Sequence, residues 1–145
     1  MDVLQELKKY TNLSSYETLV KVVKNPIYFS KEEVRKLIPS ISMGTDGPIL
    51  TNIMLITDHF IIDIRLQPQG EYFDYIALKT IVNYRFNLSD HIIKATDGKD
   101  IIYQVANIEL LHNLQTFKTS LNYVGDDRKS WLTLVTESMP MAILL

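Results

Sequence analysis

The chain has 145 residues, 46% of them apolar and 22% charged, with a formal net charge of −2 and no cysteine. A chain of this size and composition buries about two-thirds of its unfolded surface and needs no metal or disulfide to hold a core. Having no cysteine excludes a disulfide framework, a thiolate metal site and a cysteine nucleophile, and the slightly acidic balance offers no overall basic field for nucleic acid.

The length predicts one domain over 1–145, with a helical lead over 1–40 and a β-rich body plus a last helix over 48–139. Met1-Asp2-Val3 carries an acid where a secretory leader carries bases. No run approaches the ~20 apolar residues that span a bilayer. The expected location is the cytoplasm.

The lead reads as three short amphipathic helices. Val3, Leu4, Leu7 and Tyr10 recur at helical spacing. Ser14 with Glu17 forms a capping-box signature ahead of Tyr16, Leu19, Val20 and Val23, and Asn25-Pro26 stops that helix. Ser30 with Glu33 repeats the box ahead of Val34, Leu37 and Ile38, up to Pro39. Helices this short need a surface to dock on, and a sheet is the candidate. Residues 39–48, with two prolines and two glycines, read as a loop.

From Ile49 the apolar period changes to two. Ile49–Ile56 predicts a largely apolar strand covered on both faces. Phe60, Ile62, Ile64 and Leu66 then set one buried face, with His59, Asp63 and Arg65 on a solvated one. Gln67-Pro68-Gln69-Gly70 is a turn, and Tyr72–Leu78 a further strand. Val82, Tyr84, Phe86 and Leu88 alternate cleanly against Asn83, Arg85 and Asn87. Ser89-Asp90 reads as a turn before His91–Ala95. Asp97-Gly98 signals a hairpin into Ile101, Tyr103 and Val105. Asn107–Gln115 fits either a short helix carrying Ile108, Leu111 and Leu114, the preferred reading, or a strand, and Phe117, Thr119, Leu121 and Tyr123 make a last strand. Gly125-Asp126-Asp127 opens a final helix carrying Trp131, Val135 and Met139 and ending at Pro140. The apolar tail Met141–Leu145 is expected to pack on the domain or on an oligomer partner. The fold class is therefore α+β: N-terminal helices, about seven antiparallel strands and a C-terminal helix.

Asn122-Tyr123-Val124-Gly125-Asp126-Asp127-Arg128-Lys129-Ser130-Trp131-Leu132 resembles the last strand, acidic turn and tryptophan-bearing helix of pleckstrin homology domains. Met54-Leu55-Ile56-Thr57-Asp58-His59-Phe60-Ile61-Ile62 is similar to a hairpin of the bacterial members. The resemblance covers roughly 49–139 by element order. It implies a partly open seven-stranded barrel or curled sheet, plugged at one end by the helix with Trp131 buried. The phosphoinositide-binding members carry clustered Lys and Arg on the first hairpin. Residues 49–64 contain none, so lipid binding does not carry over.

Chemistry is sparse. The five glycines at 44, 47, 70, 98 and 125 fit no phosphate-binding loop, and the three histidines form no His-x-x-x-His pair. The one constellation to weigh is Asp58-His59, Asp63 and Asp90-His91. If the hairpins converge, His59, Asp63 and His91 could hold a divalent metal or do acid–base work as a small hydrolase. The plainer reading makes Asp58 and Asp90 turn residues, with His59 and Asp63 on a solvated face. The tyrosines, without a basic groove, read as cross-strand pairs and not as a stacking platform for nucleic acid. The expected function is a non-catalytic binding module with no cofactor. Its partner is expected to be a protein or a second copy, with recruitment to a membrane surface as a less favoured alternative.

Overall fold

The computed structural model describes residues 2–24, 33–95 and 97–144, with side chains as far as Ser138. Long runs of Ile, Leu and Met dictate strands that need cover on both faces, and the first four strands meet that need. β1 (Val34–Gly44), β2 (Gly47–Thr57), β3 (Phe60–Gln67) and β4 (Gly70–Ala77) form an antiparallel sheet in sequence order. A 3₁₀ turn, Leu78–Thr80, leads to β5 (Ile81–Lys94), β6 (Asp100–His112) and β7 (Gln115–Tyr123), a second antiparallel sheet in sequence order. Hydrogen bonding does not close the two sheets into a barrel among the described residues.

The outer face of the first sheet carries Leu37, Ile53, Leu55, Ile62 and Ile64. It is covered by α1 (Val3–Leu7) and α2 (Tyr16–Val23), through Leu7, Leu19 and Val23. The inner face carries Ile38, Met54, Ile56, Ile61 and Ile76. These pack on Ala106, Ile108, Leu110 and Leu121 of the second sheet, and on Trp131 and Val135 of α3 (Arg128–Leu144). α3 therefore closes one end of the space between the sheets. Its indole N–H donates to the Pro39 carbonyl at 2.8 Å, and its ring stacks on Tyr123 at 5.5 Å. The sheets meet along β1 and β7, where the Asn122 N–H donates to Ser40 Oγ at 2.9 Å and its amide Nδ2 to Ser42 Oγ at 3.1 Å.

Several expectations are corrected. The third helix is β1: Val34, Leu37, Ile38 and Ile41 are all buried, and a strand buried on both faces reproduces helical spacing by filling positions on either side. Pro39 is tolerated there because β1 is an edge strand. The expected loop over 39–48 is the end of β1, a two-residue turn at Thr45-Asp46 and the start of β2. Gly47, at φ +112°, supplies backbone geometry that other residues rarely adopt. The N-cap of α2 is Ser15, itself left-handed at φ 73° and making no side-chain cap, so the Ser14–Glu17 box does not form. The Ser30 box and the Asn25-Pro26 stop lie outside the described residues.

No turn interrupts Ser89-Asp90, and β5 runs unbroken for 14 residues. Asn107–Gln115 is not helical. β6 continues to His112 and turns at Asn113-Leu114, both left-handed at φ 46° and 63°. The backbone of α3 stays helical through Pro140 to Leu144. The side chains of Met139 and of the tail Met141–Leu145 lie outside the description. The strands between Pro48 and Leu88 are divided between the two sheets.

Candidate interaction surface

The His–Asp constellation is not assembled. Asp63 lies on the inner face of β3, completely buried, and not on a solvated face. Thr119 Oγ1 donates to its Oδ2 at 3.0 Å and Asn52 Nδ2 to its Oδ1 at 3.3 Å. Arg65 Nε sits 3.6 Å from the same carboxylate, while its Nη2 bonds Asp74. Burial raises the Asp63 carboxyl above the ordinary carboxylate range, against the lowering effect of Thr119, Asn52 and Arg65. Asp63 thus joins β3 to β7 across the core and is closed to a substrate. Asp58 is engaged elsewhere, in a fork with Arg35 at 2.9 Å on both oxygens, and that hydrogen bonding lowers its carboxyl.

His59 stands in the β2–β3 turn, its backbone N–H donating to Thr57 Oγ1. His91 lies on β5 with Nε2 3.1 Å from Ser89 Oγ, and Asp90 beside it faces the other side of the sheet. Among the described residues no three His, Asp or Glu side chains lie close enough to hold a metal ion. The polar residues of the two alternating strands lie apart: Asp63 and Arg65 are on the first sheet, Asn83 and Arg85 on the second.

Two other features could meet a partner. A cleft of about 490 Å³ opens where α3 begins, between Tyr10, Pro39, Tyr123 and Trp131. On its rim Lys9 pairs with Glu6, and Asp127 stands just before α3. Tyr10 is pushed up to about 12, first by burial, then by Glu6 and Tyr123, so it remains a neutral phenol. The cleft holds no nucleophile paired with a base.

The second sheet differs in kind. β7 ends at Tyr123 opposite Gln104, while β5 and β6 continue as a two-stranded arm to the Lys94–Asp100 pair. On that arm Ile92, Ile93 and Ile102 are 67, 50 and 38% exposed, and Leu88, just before it on β5, is 39% exposed. At the opposite end of β5 a bulge between Ile81 and Asn83 leaves Val82 76% exposed. The far side of β5 pairs with no strand among the described residues, so a row of backbone donors and acceptors faces outward along it. The arm's charges (Asp90, Lys94, Asp97, Lys99, Asp100) are of mixed sign.

Sequence reading found the alternation of Val82–Leu88 but not its exposure. Period two says that residues share a face; it does not say that the face has cover. The one available signal was the four β-branched residues Ile92, Ile93, Ile101 and Ile102, which sit in adjacent pairs on both sides of the Asp97-Gly98 hairpin and so make both of its faces apolar. No protein-family model, curated protein or solved structure matches this chain.

Proposed function

We propose that this chain is a non-catalytic binding module of pleckstrin homology-like architecture, and that it takes up a polypeptide by strand addition along β5. The architecture is supported by the order of its parts: four strands, three strands, then a helix whose Trp131 closes one end of the inter-sheet core. The mode of binding is carried by one observation. Among the described residues, a 14-residue strand offers an edge that pairs with no other strand while apolar side chains on the same strand stay in solvent. Natural sheets blunt such edges with lysines, prolines or a covering element. Here Lys94 stands only at the tip and no proline occurs between Ile81 and Lys94. Main-chain hydrogen bonds along the edge would supply affinity, and alternate side chains specificity.

A lipid surface is less well served. The first hairpin has Arg35 and Lys36 at the end remote from its turn, and no Lys or Arg from 37 to 64. Affinity capture with the wild-type chain and with Ile92→Lys and Leu88→Lys tests the reading. Both sites are solvent-exposed, so the variants keep the wild-type unfolding midpoint, and a polypeptide held by the wild type is lost from both. Retention of that polypeptide by both variants places the surface elsewhere.

A further inference from the structure

Building on the strand-addition reading, we infer that the polypeptide is β5 of a second copy of this chain, paired antiparallel about a two-fold axis at Asn87. A two-fold axis normal to a sheet keeps each face continuous, so residues of one copy oppose residues of the other that point the same way. Centred on Asn87, the register sets Phe86 against Leu88 and Val82 against Ile92, in both directions; Ile81, beyond the bulge, turns to the core face and takes no part in the pairing. Three of the four exposed apolar residues of β5 (Val82, Leu88 and Ile92) gain an apolar partner, and the fourth, Ile93, lies on the opposite face.

The polar residues also agree. Tyr84 faces Asp90, Arg85 faces Ser89, Asn83 faces His91, and the two Asn87 amides meet on the axis with no like charges opposed. Neighbouring centres do worse. An axis at Leu88 puts Phe86 against Asp90 and Val82 against Lys94. One at Ser89 puts Leu88 against Asp90, one at Phe86 puts Val82 against Asp90, and one at Asp90 opposes two carboxylates. The strand is thus complementary to itself in one register, and the result is a continuous six-stranded sheet across two copies.

The cysteine-free chain makes the register directly readable. In this pairing only residue 87 stands opposite itself, with Cα atoms about 4.5–5.5 Å apart, within disulfide reach. Residue 88 is displaced from its own copy by two positions, beyond the ~7 Å limit. Under mild oxidation, Asn87→Cys gives a covalent dimer, whereas Leu88→Cys and Ser89→Cys do not. Wild type sediments as a dimer, and Ile92→Lys, exposed in the single copy, weakens association at least about tenfold. A dimer that ignores Ile92→Lys, or that crosslinks at 88 or 89 but not at 87, overturns this pairing. A wild-type monomer that loses a captured polypeptide on Ile92→Lys overturns the second copy as partner and leaves strand addition standing. A monomer whose captured partners ignore Ile92→Lys removes both.

Discussion

The two sheets are built from similar residues and put to opposite uses. The first is covered on both faces, by α1 and α2 outside and by the second sheet and α3 inside, so that Ile61 and Ile62, consecutive in sequence, are both fully buried. The second is covered on one face and only over part of its length, and Ile92 and Ile93, also consecutive, both reach solvent. The same dipeptide is core in one sheet and surface in the other. Apolar composition therefore sets what a strand can do, and the layers above and below decide what it does.

Truncation tests that contrast most severely. Ile62→Ala opens a cavity in the doubly covered sheet and should cost roughly 2–5 kcal/mol. Ile92→Ala removes the same atoms from solvent-facing surface and should stay within ~0.5 kcal/mol. Urea unfolding measured at low protein concentration decides it, and equal costs would abolish the distinction between the sheets.

The next effect concerns what binds the two sheets together. Burial raises Asp63 in the folded protein relative to the unfolded chain, so between those two pKa values the native state holds more protons than the unfolded one. Stability contributed by this group therefore falls as pH rises upward from the ordinary carboxylate range, and is recovered on acidification. Asp63→Asn, which cannot ionise, should flatten that slope in a series of unfolding midpoints against pH. An unchanged slope would assign it to a group other than Asp63; Asp58, lowered by Arg35, contributes with the opposite sign and cannot be its source.

The smallest effect lies at the β6–β7 turn, at the end of the second sheet away from the arm. Leu114 holds a left-handed conformation while fully exposed, so it bears the steric cost of that geometry with no packing in return. Leu114→Gly should stabilise the protein by about 1 kcal/mol, read as a rise in the unfolding midpoint. A loss of stability would show that Leu114 has a packing role in the folded protein.

This turn also shows where sequence reading stops. Asp97-Gly98 announces its hairpin because glycine advertises left-handed geometry, with Gly98 at φ +82°. Asn113-Leu114 makes an equally tight turn with one residue that carries no such signal, and the segment before it passes for a helix. β3, the first half of β5 and β7 are legible because each alternates, and β4 by its aromatic residues following the Gln67–Gly70 turn. β1 is not, since Val34, Leu37, Ile38 and Ile41 serve two cores at once. Trp131 as the lid on the inter-sheet core follows from its place on an amphipathic helix. Asp63 misleads because a polar residue at period two reads as solvent-facing, and only the tertiary structure brings Thr119 and Asn52 to it. The open edge of β5 is a property of strand order, which the sequence of a single strand does not contain.

Pro39 and Trp131 are joined across 92 residues, and Ser40 and Asn122 across 82. Loop-closure entropy must be met before such contacts give any return, which puts this chain among slow, non-local folders. Until α3 arrives, the inner face of the first sheet has no plug, and the self-complementary edge of β5 is already available to neighbouring chains. Refolding yield should therefore depend on protein concentration more steeply than native stability does, because the strand that pairs correctly in the folded state can also pair too early.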